Sequence, residues 1–156
     1  MLHMMLAAAL AAPSNDFRGV PLNGPCPTGP EWTETEADDG ITFFVRAGDK
    51  HAIGDAKLTR IAYGCWTPKG GTPMMAAVFI TFEGIEGHAL LVTLTEQWGK
   101  PYQSNPYIDR YLWQGTTTGY LDFNFRKGSL LIQSRDVVKQ REAEAKERAA
   151  NASGDL

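Results

Sequence analysis

Apolar and polar residues alternate with a period of two through much of this chain, and one stretch in its middle switches to a helical period. Alternation of this kind puts apolar side chains on one face of a strand. It, or an equivalent run of β-formers, marks six strands: Ile41 to Arg46, Leu58 to Trp66, Met75 to Phe82, Ile108 to Gln114, Gly119 to Phe125 and Ser129 to Ser134. Turn chemistry separates them at Asp39-Gly40, Gly48-Asp49, Pro68 to Pro73, and Lys127-Gly128, which reads as a tight hairpin turn. In the third strand Ala76, Val78, Ile80 and Phe82 share the expected core face. In the fifth, Leu121, Phe123 and Phe125 oppose Tyr120, Asp122 and Asn124, the pattern of an antiparallel sheet wetted on one side.

The period changes between Glu86 and Trp98, where Leu90, Leu91, Leu94 and Trp98 fall on one side of a helix. Gly99 and Pro101 supply its stop, while Gly84 and Gly87 leave its start weakly specified. Phe17 to Pro30 holds three Gly and four Pro and reads as a lead-in loop. After Ser134 the residues favour helix, with Glu142–Lys146 and Glu144–Arg148 as i,i+4 pairs. No large apolar residue between Val138 and Ala150 offers that helix a docking stripe, so a solvated, fraying tail is expected. The sum is an α+β fold: an antiparallel sheet of about six strands, one central helix packed on a face, and a charged C-terminal helical tail.

Residues 1–12 are uncharged and, His3 apart, apolar, with Ala9-Leu10-Ala11 fitting a small-residue cleavage site. This predicts a signal peptide, a folded domain over residues 13–134, a tail over 135–156, and a periplasmic or secreted location in a bacterium. No stretch supplies the roughly 20 apolar residues of a membrane span. Asn23-Gly24-Pro25 before Cys26 is the wrong setting for lipidation. In an oxidising compartment Cys26 and Cys65, the only two cysteines, are expected to pair. Two unrelated buried thiols are the alternative.

The formal charge of -3 and the lack of a Lys/Arg cluster argue against nucleic acid as partner. The charge belongs to the domain, because the first twelve residues are uncharged and the tail holds five basic and five acidic residues. Neither His51 nor His88 has ligand-spaced neighbours, so no metal and no cofactor are expected. Asp38, Asp39, Glu83, Glu86, Asp109 and Asp122 could serve an acid/base pair only if folding gathered them, and surface charge is their plainer role.

Aromatic residues are the more suggestive feature. Trp66, beside the Pro-rich turn, together with Tyr102, Tyr107 and Arg110, forms the candidate binding patch, since Trp, Tyr and Arg dominate interface hot spots. The alternative is that each ring covers its own loop or sheet edge.

The order Phe79-Ile-Thr-Phe-Glu-Gly84, a helix ending Trp98-Gly99-Lys100-Pro101, the strand Tyr107 to Trp113 and a final hairpin resembles small exported bacterial proteins of unknown function. That resemblance covers residues 17–134 and extends to their opening phrase, here Phe17 to Leu22. More distantly, the Gly-x-Pro helix end before a tryptophan-bearing strand is similar to SmpA/OmlA lipoproteins and β-lactamase-inhibitor-like modules. Both imply small periplasmic domains that bind proteins, and neither lends this chain a site residue. The expected function is a non-enzymatic binding module whose partner is an envelope or periplasmic protein. An envelope hydrolase built from dispersed carboxylates and a small-ligand carrier are the alternatives. The cysteine pairing is checked directly: thiol labelling of the exported protein, denatured without reductant, should find no free thiol, and two labelled thiols would refute the pair.

Overall fold

A computed structural model describes residues 12–154. The predicted signal peptide, Ala12 apart, lies outside the described residues.

The lead-in makes a small hairpin, β1 (Asp16–Phe17) and β2 (Val20–Pro21). A larger hairpin, β3 (Trp32–Asp38) and β4 (Ile41–Arg46), is followed by a second small one, β5 (Ala52–Ile53) and β6 (Ala56–Lys57). Next come β7 (Arg60–Trp66) and β8 (Met74–Glu83), then a 3-10 turn at Gly84–Glu86 and α1 (Gly87–Trp98). The chain closes with β9 (Arg110–Trp113), β10 (Thr117–Phe123), β11 (Lys127–Ser134) and α2 (Arg135–Ser153). Seven strands form one antiparallel sheet in the order β3-β4-β7-β8-β11-β10-β9. After β8 the chain makes α1, reaches the far edge as β9 and returns through β10, so that β11 lies beside β8 at the centre.

The seventh strand, β3, carries no apolar signal because six of its seven residues are exposed. Its sequence Trp-Thr-Glu-Thr-Glu-Ala-Asp is that of an edge strand protected by charge, and a bulge between Glu34 and Glu36 interrupts its pairing with β4. A second bulge lies in the middle of the sheet. Gly64 pairs with Ala77 but Cys65 pairs with Met75, leaving Ala76 as the extra residue of β8. Strict alternation is broken there. Met75, Val78, Ile80 and Phe82 face the main core, whereas Ala76, expected on that same face, packs with Trp66 and Val137 on the other.

The main core lies between the sheet and α1. Leu90 and Leu94 of the helix are fully buried against Ile61, Tyr63, Val78, Ile80, Leu121, Leu130 and Ile132. The helix stop is the one its sequence specifies: Gly99 has φ 87 and its N–H donates to Thr95 O at 2.9 Å. Trp113 then donates its indole N–H to Gly99 O at 2.8 Å, and the Trp98 ring stands edge-on to it, 5.3 Å between centroids. Cys26 and Cys65 form a disulfide across 39 positions, tying the lead-in to β7.

At the other end of the hairpin β10–β11 the turn spans Asn124 to Lys127, with Asn124 N–H donating to Lys127 O, and Gly128 already belongs to the ladder. Phe125 is therefore at the tip of the turn and exposed instead of alternating into the core.

Among the described residues the fold has two α-helices, where the sequence predicts one packed helix and a tail. The C-terminal segment is joined to the sheet through its first turn, where Ser134 Oγ accepts from Val137 N–H and donates to Asn23 Oδ1 at 2.9 Å. Val137 is buried against Trp66 and Ala76, and Arg141 donates to the Asp39 carbonyl at 2.7 Å. One apolar residue and a cap are enough to seat the first two turns, although a stripe along the helix is lacking. Val137→Asp should therefore lower stability by roughly 2–5 kcal/mol in denaturant melts, because it buries an unpaired carboxylate. Ala143→Asp on the exposed side of the same helix should change it little.

Candidate functional site

The sheet face opposite α1 is only partly covered, since α2 crosses just one end of it. Across the uncovered part the register aligns Ala62 with Phe79, Phe79 with Leu131, Leu131 with Tyr120, Tyr120 with Leu112, and Leu112 with Tyr102. Side chains at paired positions point to the same face, so this is one apolar rung across the sheet from β7 to β9. Phe79, Leu131 and Leu112 are half-buried, Tyr120 is exposed, and Tyr102 is 65% exposed. The next rung is polar: Arg60, Thr81, Ser129, Asp122 and Arg110, with Arg110 and Asp122 3.5 Å apart and Arg60 on Glu36 at 2.6 Å.

The four residues expected to form one patch separate into three places. Trp66 is 7% exposed and lies under α2. Tyr102 and Arg110 are at the β9 edge, four strands away, or roughly 19 Å at about 4.8 Å per strand. Tyr102 exchanges two backbone hydrogen bonds with Leu112, of 2.8 and 2.9 Å, which fix it as an extension of the sheet edge. Tyr107 is 94% exposed in the loop before β9, where Asn105 Oδ1 accepts its N–H at 2.9 Å. Phe79, Leu131, Leu112 and Tyr120 escaped the sequence reading because their alternation looked like ordinary sheet amphipathicity. What reveals them is that α1 takes one face and α2 only a corner of the other.

A second constellation, which the sequence reading missed, surrounds Asp49. Its nearly buried carboxylate accepts from Tyr63 Oη at 2.6 Å and Arg18 Nη1 at 2.8 Å, and Arg46 Nη2 is 3.5 Å away. Arg18, held at φ 51, also donates to the carbonyls of Lys50 and Ala52 at 2.6 Å each. The Arg46 guanidinium lies 5.3 Å from the Trp32 ring and 5.2 Å from the Tyr63 ring. Burial works to raise the Asp49 pKa, but the hydrogen bonds from Tyr63 and Arg18 and the two arginine charges outweigh it and hold it below the usual carboxylate value. Burial and the same carboxylate push the Tyr63 hydroxyl up. At the β9 edge Tyr111 is pushed up to about 12 by burial and by its 2.8 Å bond to Asp109. Neither tyrosine is poised to ionise near neutral pH. The Asp49 cluster is a tie between the lead-in and the β4–β5 loop, each charge satisfied by fixed partners.

Beside that tie a groove of about 480 Å³ runs between α1 and the lead-in, lined by Phe17, Arg18, Lys50, Gln97 and Trp98. Its floor is Leu94, Leu130 and Ile132, each 2% exposed or less, so the space lies over the core and does not enter it. The carboxylates disperse: Asp39 holds Arg141, Asp109 binds Tyr111, Asp122 faces Arg110, and Glu83 ends β8. None of five grooves on the described surface has two of those four in its lining. Among the described residues no group of three His, Cys, Asp or Glu could hold a metal ion. His51 is exposed, and His88 stands edge-on to Phe123, 5.1 Å between ring centroids, at the start of α1.

No protein-family model, curated protein or solved structure matches the chain. The Asp49 tie yields a pH prediction. Its lowered pKa means that its contribution to stability is present above the unfolded-state value near ~4 and is lost as the pH falls through the lower folded value. Asp49→Asn should cost roughly 2–4 kcal/mol at pH 7 in urea melts. The gap between variant and wild type should narrow as the pH drops below about 4; a constant gap from pH 7 to pH 2 would exclude the ionised tie.

Proposed function

We propose that this protein is an exported, non-enzymatic binding module that docks another protein of the cell envelope on the open face of its sheet. The apolar rung Phe79-Leu131-Tyr120-Leu112-Tyr102 carries the reading. It lies on a paired sheet and not on loops, and a polar rung with charges of both signs borders it, which is the apolar-centre, polar-rim arrangement of protein interfaces. Tyr102, Tyr120 and Arg110 are the residue types that contribute most to such contacts. Of the patch expected from the sequence, Tyr102 and Arg110 belong to this surface.

Export fits the Cys26–Cys65 disulfide, which persists in oxidising compartments, and no helix among the described residues is long and apolar enough to cross a membrane. The sequence resemblance to small exported proteins and to protein-binding periplasmic modules points the same way. The test is a site-specific photo-crosslinker placed in cells at Tyr102 or at Tyr120, with Val92 on the outer side of α1 as control. Both sheet positions should trap one common protein and the control should not. Tyr102→Ala with Tyr120→Ala should cut recovery of that protein at least tenfold at unchanged melting temperature. Equal trapping from Val92, or none from the sheet, would sink the assignment.

A further inference from the structure

The large apolar side chains most exposed to solvent lie far apart in sequence, yet the fold carries them to one end of the sheet. They are Tyr107 at 94%, Phe125 at 84% and Ile85 at 81%, with Ile108 less exposed beside Tyr107. Three loop tips supply them, and all three are fastened around Phe123. The ring of Phe123 stacks on Tyr111 with 6.2 Å between centroids, and its N–H donates to Asp109 O at 3.0 Å, which holds the loop carrying Tyr107 and Ile108. Gly84 N–H donates to Arg126 O at 3.1 Å, and a Cβ on Gly84 would run into the Asn124 carbonyl, so the 3-10 turn bearing Ile85 presses directly on the turn bearing Phe125. Asn124 Oδ1 accepts from the N–H groups of Arg126 and Lys127 at 2.8 and 3.1 Å and gives Phe125 a fixed tip.

These tips are three separate, highly exposed turns held by their own hydrogen bonds. A rigid protein surface would need matching pits for three separate knobs. A lipid headgroup layer deforms around them and takes apolar side chains to a shallow depth. The charges favour the same occupant. Arg126 lies over the Phe125 ring at 5.2 Å, so a cation accompanies the most exposed phenyl ring. Neither Arg126 nor Lys127 forms an ion pair among the described residues. Of the carboxylates at this end, Glu83 is in register with Lys127, Glu86 accepts from the Lys57 N–H and Asp109 accepts from the Tyr111 hydroxyl.

We infer that this end of the molecule rests on an anionic lipid bilayer, inserting Phe125, Ile85 and Tyr107 while Arg126 and Lys127 meet the lipid phosphates. The sheet would then stand on the membrane with its open face turned sideways, free for a protein partner. The lipid contact does not depend on that partner: it is a property of the purified protein. Sedimentation with vesicles of phosphatidylglycerol and phosphatidylcholine in equal parts, against phosphatidylcholine alone, tests it. The wild type should bind the anionic vesicles and lose that binding as salt rises from 50 to 500 mM, as expected for screened headgroup attraction. Phe125→Ser with Ile85→Ser should weaken binding at least tenfold, Arg126→Gln with Lys127→Gln should weaken it on anionic vesicles only, and Val92→Ser should leave it unchanged. All these side chains are exposed, and an unchanged thermal melt confirms folding of each variant. Equal binding by wild type and the Phe125/Ile85 variant, or no binding to either vesicle, would overturn the inference. So would a photo-crosslinker at Phe125 that traps a protein and no lipid.

Discussion

The extra residue at Ala76 decides how the two faces of this sheet are used. Side chains alternate strictly along a strand, so an unbroken β8 would send Met75 and Val78 to opposite faces. With Ala76 unpaired, Met75 and Val78 both enter the main core, the face on which Ile61, Tyr63 and Cys65 of β7 also lie. On the other face Ala76 and Trp66 form a seat of the size of one valine, and Val137 occupies it. The seat of α2 follows from that shift of register, and a helix anchored at this corner leaves the rung beyond it uncovered among the described residues.

Rigidity away from the main core comes from polar ties. Asp49, Tyr63, Arg18 and Arg46 bind the lead-in to the β4–β5 loop, and Asn124 and Asn105 build the turns that hold Phe125 and Tyr107. Apolar residues at loop tips ordinarily collapse toward the body, where burial favours them. Here short Asx turns and the close contact of Gly84 with the 124–126 turn keep them outward. The apolar rung and the apolar end are different surfaces made by different means. The first is a by-product of register in a sheet covered on one side, and the second is local turn chemistry.

Much of the framework is legible in the residues alone. The helix ending at Gly99, six of the seven strands of the sheet and the Pro-rich lead-in follow from local rules: period, breaker residues and the positive φ that glycine tolerates. The α+β class with a large antiparallel sheet follows from their order. The edge strand β3 is silent because an edge exposed to water needs charge more than apolar alternation. Phe125 misleads because a phenylalanine two positions beyond Phe123 continues the alternation on paper, while the Asx turn at Asn124 ends the strand first.

By itself the sequence determined the elements whose causes are local, and it named Cys26 with Cys65 as the bond that holds the lead-in to the sheet. Only the tertiary structure decided which side chains share a surface. Trp66 and Tyr102 look equivalent as aromatic residues beside turns, yet one lies under Val137 and the other is 65% exposed, because a helix from the far end of the chain reaches the first and no described element packs over the second. The meeting of Ile85, Tyr107 and Phe125, like that of Arg18 with Asp49, depends on strand order and register. Those are settled by long-range pairing that leaves no periodic mark in any one segment.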